Sequence, residues 1–377
     1  MDTDTSPTVL ITGGAGFIGS HLASELLQHG YYVRILDNLT PQVHGSERLR
    51  PRHLDRRAEV AVGDIRDSQS VREALEGVDS VIHLAAVVGE RASMYQLEKF
   101  MNVNSTGTAA LLEALLDHPI KQFVVASSSA VYGEGLYGSY NGTTYPKIRR
   151  SPWQTARGDW EPRSPDGEVL YPLPTPETKE VSPHSVYAIS KYDQEEMCRM
   201  IGETYGIPTT ILRIFPVYGP HQRYANPYSG MLTEYAARLL QGLPVRLFED
   251  GYQQRDFVSV YDVARAFRLA LESPGAVGET FNIGSGRPHT FRTIANQLAT
   301  ITRRQHLSPE VTGVGRVGDI RHCIADISRA REVLGYAPEV SLETGLLDLA
   351  SWVEMELTER QKVPASLGVQ TSSRLQV

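Results

Sequence analysis

Short apolar runs alternate with amphipathic segments along the first 215 residues of the chain. The apolar runs predict strands at 8–12, 33–37, 58–62, 80–86, 122–127 and 209–215. Apolar residues recur at helical spacing between these runs, and helices are expected from residue 18, at 68–75 and at 94–116. Strands that alternate with helices in this way predict an α/β fold with a doubly wound parallel sheet.

The alternation stops at residue 134 and resumes at residue 182. Segment 134–182 has little periodicity and much glycine, proline, tyrosine and charge, which predicts an insertion that is either a flap near a substrate or a surface ornament. Ser182 and Pro183 then predict a helix start, with the serine as cap and the proline at the first helical position.

Three parts of the chain follow from this pattern. We expect a sheet domain at 1–215 that also receives 256–283, and a smaller α/β domain at 216–352. The polar, aperiodic segment 353–377 is expected to be disordered.

A glycine-rich turn joins the first strand to the first helix, with the sequence Gly13-Gly14-Ala15-Gly16-Phe17-Ile18-Gly19. Gly13 permits the turn, Gly16 lets a dinucleotide pyrophosphate approach the backbone, and Gly19 lets the helix pack close to the strand. The helix opens with Phe17 and Ile18, and its unpaired N–H groups suit phosphates. Taken alone, such a turn is equally consistent with close packing.

Asp37 supports the dinucleotide interpretation because it ends the second strand, about 20 residues further on. A carboxylate there would bond a ribose diol and repel a 2′-phosphate, which favours NAD over NADP. The arginines of loop 48–57 could hold such a phosphate, but none directly follows the strand, so an ordinary solvated loop is the preferred explanation.

Further candidate cofactor contacts lie where later strands end, since ligands of a doubly wound sheet bind outside the carboxyl ends of its strands. They are Asn38, Asp64, Ile65, Leu84, Ala85, Ala86 and Asn104. Asp64 is expected near an adenine amino group, although an aspartate there also suits a helix cap. Asn104 is a poor helix former in mid-helix, so it is either exposed or bonded to something specific.

The candidate chemistry lies on the helix that follows the insertion. Tyr187 and Lys191 are four residues apart, so phenol and ammonium can point into one cleft. A pair of this kind alone is typical of an amphipathic surface. Ser128, at the end of the fifth predicted strand, completes an ordered set of glycine turn, serine and Tyr-Lys helix.

Composition excludes several classes of protein. The chain has 377 residues, a net charge of −7 and a computed pI near 5.9, which argues against a nucleic-acid partner. No apolar run is long enough to span a bilayer, and Met1–Asp4 lacks the features of a signal peptide, so we expect a cytoplasmic protein. Cys198 and Cys323 have no metal-binding spacing and are expected to be reduced.

With these motifs in view, the chain resembles the extended short-chain dehydrogenase/reductase family over residues 7–352, and within it the NAD-dependent nucleotide-sugar epimerases and dehydratases. The resemblance implies a Rossmann domain that binds NAD, a C-terminal domain that binds a nucleoside-diphosphate sugar, and a homodimer built through a helix bundle. It implies Tyr187 as the base, assisted by Lys191 and Ser128. It also implies that Arg255 and Arg321 bind the substrate diphosphate.

Departures from the family pattern bear on the reaction. Dehydratases carry Asp-Glu after the catalytic Ser or Thr and decarboxylating relatives keep the Glu, whereas this chain has Ser129 and Ala130. Of the family's reactions, the resemblance then leaves epimerisation of the sugar, which occurs most often at its C4. A reductase of a 4-keto sugar would use the same residues and stays open. A redox-sensing binding protein that has lost its chemistry is a third possibility, although such proteins typically lack the Tyr and Lys.

Two further departures concern the substrate side. Pro216 stands where many relatives have an Asn that contacts the sugar phosphate, although some hexuronate-acting relatives also lack it. Segment 158–167 resembles part of a zinc knuckle in rhamnose 4-epimerase-like proteins, but Ser164 stands where a Cys would be. A four-ligand zinc site cannot be assembled from this stretch, so no metal is expected.

Overall fold

The structure is a computed structural model that describes residues 6–362, apart from 223, 225–229 and 316–318. The strands in chain order are β1 (Thr8–Thr12), β2 (Tyr32–Asp37), β3 (Glu59–Val62), β4 (Ser80–His83), β5 (Gln122–Ser128), β6 (Leu136–Gly138), β7 (Thr144–Tyr145), β8 (Tyr171–Thr175), β9 (Thr209–Ile214), β10 (Val217–Tyr218), β11 (Arg246–Leu247), β12 (Gln254–Asp256), β13 (Val258–Ser259), β14 (Thr280–Ile283), β15 (Pro288–Thr290), β16 (Glu310–Val311) and β17 (His322–Ala325).

The helices are α1 (Phe17–Gln28), α2 (Pro41–His44), α3 (Ser68–Leu75), α4 (Glu90–Ser93), α5 (Leu97–Phe100), α6 (Gly107–Leu116), α7 (Pro152–Ala156), α8 (Val186–Tyr205), α9 (Met231–Leu240), α10 (Val260–Glu272), α11 (Phe291–Ile301), α12 (Ser328–Leu334) and α13 (Leu342–Lys362). A π-helical turn, Met101–Thr106, joins α5 to α6.

The larger sheet has seven strands in the order β14-β9-β5-β4-β1-β2-β3, and every neighbouring pair is parallel. The predicted doubly wound α/β fold is confirmed. The chain winds outward in both directions from the β1–β4 pair, where Thr12 lies beside His83. Such a switch point opens a crevice at the carboxyl ends of the strands, which is where ligands of this fold bind.

Helices cover both faces of this sheet. Along β1, Val9 and Ile11 pack with Leu22 and Phe267 on the face of α1 and α10. Leu10 points the other way and belongs to the core cluster that includes residues of α3, α6 and α8. Because both faces are buried, the apolar residues of β4 and β5 are consecutive in the sequence, at 81–82 and 123–126, instead of alternating.

Segment 134–182 is an integral part of a second sheet, which has the order β15-β12-β17-β8-β6-β7. Its strands β6 and β8 pair antiparallel with each other, and β8 pairs parallel with β17. Helices α9, α11 and α13 share a separate apolar core beside this sheet. The sequence was consistent with either a flap near the substrate or a surface ornament. In the structure, the segment instead forms half of the strands of the second sheet.

Two predicted helices differ from the structure. Helix α8 begins at Val186, not at Pro183, because Ser185 is its cap and accepts a bond from the Ala188 N–H at 3.1 Å. Ser182 is held in the loop, where its N–H donates to the Val131 carbonyl at 2.9 Å. The expected single helix at 94–116 is divided by the π-helical turn, which places Asn104 on its buried side.

The predicted disorder of 353–377 is wrong for residues 353–362, which continue helix α13. Val353 is fully buried in the second core, and Leu357 packs against that core. The polar composition of the segment hid this apolar stripe. The rest of the predicted tail, 363–377, lies outside the described residues.

No helix in the described part of the chain combines the length and the apolar character that crossing a membrane requires.

Candidate active site

A cavity of about 1040 Å³ opens at the carboxyl ends of the parallel strands. It brings together most of the side chains that the sequence singled out: Gly13, Gly16, Phe17, Ile18, Gly19, Asp37, Asn38, Ile65, Leu84, Ala85, Ala86, Ser128, Tyr187 and Lys191. These residues come from five strand ends and two helices, so the sheet topology places them at one edge. The remaining candidates, Asp64, Asn104, Arg255 and Arg321, do not line the cavity.

The glycine turn is shaped to admit a ligand. A Cβ on Gly13 would lie 2.8 Å from the backbone of Ala85, and one on Gly19 would lie 2.5 Å from the Cα of Gly14. A Cβ on Gly16, in contrast, would meet only the Gly13 carbonyl, at 3.2 Å, and would otherwise project into open space. Helix α1 begins beside it at Phe17 without a side-chain cap. Its first N–H groups and positive dipole end therefore suit the pyrophosphate of a dinucleotide.

Asp37 ends β2 at the wall of the cavity. Its carboxylate accepts one bond from the Ala15 N–H at 3.0 Å and one from the Leu39 N–H at 2.9 Å. Burial raises the pKa of this carboxyl, and these donors together with nearby His44 oppose the rise. A carboxylate has about four acceptor positions, so two remain for the hydroxyls of a ribose.

Asp64 and Asn104 are not among the residues that line the cavity. The Asp64 carboxylate accepts two bonds from the Arg66 guanidinium, both of 2.8 Å, and this contact lowers its pKa. Asn104 is fully buried, and its amide bonds both backbone groups of Val87 and the hydroxyl of Ser190. Asn104 therefore fastens the loop after β4 to helix α8, which is the specific bonding that its mid-helix position suggested.

Tyr187 and Lys191 lie one turn apart on α8, and both face the cavity beside Ser128 at the end of β5. Burial raises the pKa of Tyr187 to about 12; a hydrogen bond with Ser128 opposes this rise, and Glu90 adds to it. Burial lowers the pKa of Lys191 to about 8. The cavity thus holds a phenol that keeps its proton at neutral pH beside an amine whose pKa is lowered towards neutrality, and titratable groups with shifted pKa values in one cavity suit proton transfer.

Behind Ser128, an ion pair fixes the end of β5. The Glu195 carboxylate is fully buried and pairs with Arg213 at 2.8 Å. It also accepts a hydrogen bond from the hydroxyl of Ser127, the residue directly before Ser128. Sequence analysis missed this pair because its members lie on α8 and β9, which only the fold brings together.

Arg321 points into the protein and not into the cavity. Its five N–H donors all reach carboxylates, those of Glu161, Glu249 and Asp250. The half-buried Arg255 donates to the carbonyls of Ile320 and Arg321 and to its neighbour's carbonyl. The structure places neither arginine at the cavity: carboxylates of the insertion and of 249–250 bond all five donors of Arg321, and backbone carbonyls accept three bonds from Arg255.

Several cavity residues were not singled out by the sequence. They include charged or aromatic side chains of two short helices, a loop and the C-terminal helix: His44, Lys99, His221, Trp352 and Glu356. Only His44 carried a signal, since it follows Asp37 closely, and its Nε2 lies 3.7 Å from that carboxylate. The side chains on α13 reach the cavity only through the packing of the second domain.

The sequence matches the model of the NAD dependent epimerase/dehydratase family over residues 9–157 and 166–284. This match covers more than half of the chain, so the chain belongs to that family and is an NAD-dependent enzyme. The resemblance drawn from the motifs is confirmed.

Three similar proteins act on nucleoside-diphosphate sugars. The chain is 34% identical to dTDP-L-rhamnose 4-epimerase of Burkholderia thailandensis over 358 residues, 93% of this chain and 96% of that protein. The structure of UDP-glucose 4-epimerase of Thermotoga maritima with UDP-glucose has a TM-score of 0.76 and 32% identity, covering 93% of this chain and 99% of that one. UDP-glucuronic acid 4-epimerase of Bacillus cereus, with UDP-glucuronic acid and NAD, has a TM-score of 0.76 and 28% identity, covering 92% and 99%.

Proposed function

We propose that this chain is an NAD-dependent epimerase that inverts C4 of a nucleoside-diphosphate sugar through a transient 4-keto sugar. The observation that best supports this function is that Ser128, Tyr187 and Lys191 line the same cavity as the glycine turn and Asp37. A proton-transfer group and a dinucleotide cradle therefore share one enclosed space. The proposal draws further support from the 4-epimerases to which the chain is similar over most of its length.

The cavity residues fit NAD: the glycine turn would hold the pyrophosphate, Asp37 the adenosine ribose, and Lys191 the nicotinamide ribose. When bound, NAD supplies the acceptor and the donor of the hydride. Tyr187 takes the proton of the sugar hydroxyl, directly or through Ser128, and later returns it. The Lys191 ammonium stabilises the phenolate electrostatically and so opposes burial, which is the main cause that raises the phenol pKa to about 12.

Residues beyond Ser128 favour epimerisation over elimination. Ser129 lines the cavity and Ala130 is buried beside it, so the two positions that follow the catalytic serine carry no carboxyl. A dehydratase needs an acid and a base there to remove a C5 proton and a hydroxyl. Pro216 also lines the cavity and offers no N–H or amide to the sugar phosphate.

The test is to incubate the purified protein with dTDP-rhamnose, UDP-glucose and UDP-glucuronate in deuterated water and to identify products by NMR. Inversion at C4 without solvent deuterium at that carbon is expected. Deuterium at C5, or no conversion of any sugar in the panel, would contradict the proposal. Tyr187→Phe should reduce kcat by about 10²–10⁴-fold. The control is Tyr205→Phe, at the exposed end of the same helix, which should leave kcat unchanged.

A reductase of a 4-keto sugar is the second candidate, because it would use the same three residues. The two functions differ in their demand for cofactor. An epimerase regenerates its NAD and needs no added reductant, whereas a reductase consumes one NAD(P)H in each turnover. Conversion by the protein as purified, without added NAD(P)H, supports the epimerase.

The proposal includes a homodimer built through helix α8. Ile189 and Met200 are 49% and 64% exposed and lie 11 residues apart, about three helical turns, so they share one face. Light scattering should show a dimer for the natural chain and a monomer for Met200→Glu. Cys198 and Cys323 are both free thiols, which agrees with a reducing, cytoplasmic location.

A further inference from the structure

A chain of buried polar groups runs from Lys191 back into the sheet. The Lys191 Nζ donates to the Ala126 carbonyl at 2.7 Å and to the Oε1 of Gln194 at 2.8 Å. The Nε2 of Gln194 donates to the Oγ1 of Thr108 at 2.6 Å and lies 3.2 Å from the Nε2 of His83. Gln194 is completely buried, so its amide is held in one orientation.

The directions of these hydrogen bonds follow from Thr108. Its hydroxyl proton goes to the Asn104 carbonyl 2.5 Å away, so its oxygen accepts from Gln194 and from the Nε2–H of His83 at 2.9 Å. The Nδ1 of that ring then accepts from the Thr12 hydroxyl at 2.7 Å. Burial lowers the pKa of His83 to about 3, so the ring is neutral. The Gln194 amide must therefore turn its N–H to Thr108 and its oxygen to the ammonium.

Both described acceptors of the ammonium are neutral. A buried ammonium needs such acceptors because it has lost its hydration, and neutral ones leave its charge uncancelled. The other titratable groups around it, besides the neutral imidazole, are the Cys198 thiol, the Glu195 carboxylate and the Tyr187 phenol. Burial raises the pKa of Cys198, so it stays protonated. The Glu195 carboxylate opposes the fall in the Lys191 pKa, but its own charge is paired with Arg213 at 2.8 Å. The positive field of the ammonium is thus available to the phenol.

We propose that Gln194 is a positioning residue that holds the Lys191 ammonium in place and keeps its charge directed at the Tyr187 phenol. The inference rests on the function proposed above for that pair. A carboxylate at position 194 would form an ion pair with the ammonium and cancel its field. An apolar side chain would remove one of its two described acceptors. These two changes act on the protonation of Lys191 in opposite directions.

The experiment measures the pH dependence of sugar epimerisation for the NAD-loaded protein and two variants. In this profile the alkaline limb reports the loss of the Lys191 proton, whose pKa burial sets to about 8. Gln194→Glu should move the alkaline limb to a pH about one unit higher. Gln194→Met should move it down by a similar amount. A side chain with only a packing role would not give shifts of opposite sign.

Gln122→Met is the matched control. Gln122 is also a buried glutamine, and its amide donates to the Ala270 carbonyl at 3.3 Å, outside the cavity. Loss of this amide should leave both limbs of the pH profile where they are in the natural chain. If the Gln122 variant shifts the profile as Gln194→Met does, the effect belongs to the loss of any buried amide, and the proposal is overturned.

A second readout needs no turnover. The tyrosinate absorbance of the NAD-loaded protein, minus that of Tyr187→Phe, follows the titration of this one phenol. In both Gln194 variants the phenol should titrate about one pH unit higher than in the natural chain. Glutamate closely matches glutamine in shape, so if Gln194→Met fails to fold, the result for Gln194→Glu decides alone.

The outcomes distinguish a failure of the proposed function from a failure of the positioning role of Gln194. If Tyr187→Phe leaves the absorbance titration unchanged up to about pH 10, the role given to Tyr187 in the proposed function is wrong. If the Tyr187 titration is seen but neither Gln194 variant moves it, nor shifts the alkaline limb, the positioning role of Gln194 is refuted and the proposed function stands.

Discussion

Replacement of Arg321 by methionine should destabilise the protein even without a substrate. Arg321 is 1% exposed and neutralises carboxylates of Glu161, Glu249 and Asp250. Methionine keeps much of the apolar stem but removes all five donors. The carboxylates would then face one another across a buried space, which opposes folding. The family resemblance gave this arginine a different role, as a ligand of the substrate diphosphate, so the two readings predict different results.

The structure sets the size of the effect. Breaking a buried ion pair costs about 3–5 kcal/mol. Arg150 stays on Glu249 at 2.7 Å, and the Glu161 and Asp250 side chains are 37% and 33% exposed, so water can hydrate them. The lower end, about 3 kcal/mol, therefore applies. With an unfolding entropy of about 2.1 cal/mol/K per residue, a chain of this length should lose about 4 °C in Tm.

Calorimetry and urea unfolding of the substrate-free protein measure this loss. The control is Arg163→Met, which removes an exposed pair with Asp159 in the same insertion and should cost less than about 1 kcal/mol. An unchanged Tm for Arg321→Met, together with a raised KM for the sugar nucleotide, would refute the structural role and restore the diphosphate reading.

The pH dependence provides a further check on Arg321. Burial raises the pKa of Glu161, but hydrogen bonds from His322 and Arg321 outweigh it and lower the pKa from 4.5 to about 2. A carboxyl whose folded pKa is depressed stabilises the fold above its unfolded pKa and loses that contribution as the pH falls through the folded value. The Tm difference between the natural chain and Arg321→Met should therefore shrink as the pH falls from 4.5 towards 2.

Three other substitutions test the cavity. Gly19→Ala places a methyl group 2.5 Å from the Cα of Gly14, so the turn must open. The protein should then purify without NAD, and the ratio of nucleotide to protein absorbance will show this. Asp37→Asn removes a charge-assisted contact of about 1.5–3 kcal/mol, so the affinity for NAD should fall roughly 10–100-fold. The affinity is measured by calorimetry on protein from which bound NAD has been removed. An unchanged affinity would mean that Asp37 does not bind the ribose. Ser128→Ala should lower kcat by about 10²-fold with little change in KM. It should also raise the pH optimum, since Ser128 stabilises the Tyr187 phenolate. An unaltered pH optimum would show that Ser128 does not act on the phenol.

Local features of the chain were enough to predict the doubly wound sheet and the residues at its edge. Strand β1, the glycine turn and helix α1 are continuous in sequence, so spacing alone predicts their geometry. Tyr187 and Lys191 share a helix face for the same reason. Parallel strands bring their carboxyl ends to one edge, so Ser128 and Asp37 could be placed near each other without coordinates.

Other features could not be predicted because they depend on a distant partner. The sequence offers Arg321 as a diphosphate ligand, whereas the carboxylates that surround it in the structure come from the insertion and from residues 249–250. The start of α8 was misplaced because a bond from Ser182 to Val131 keeps the preceding segment in a loop. The disorder expected for 353–362 failed because Val353 finds its apolar neighbours on α9 and α11.

The amino-acid sequence by itself determined the order of strands and helices, the dinucleotide turn, and the family with its Ser, Tyr and Lys, since each is written in residues that lie close along the chain. Tertiary structure alone decided that segment 134–182 builds half of the second sheet, that Arg321 is enclosed by carboxylates, and that the Gln194 amide is oriented by Thr108 on another helix. Burial and hydrogen-bond partners are properties of contacts between distant segments, and those contacts exist only once the two sheets and their helices have packed.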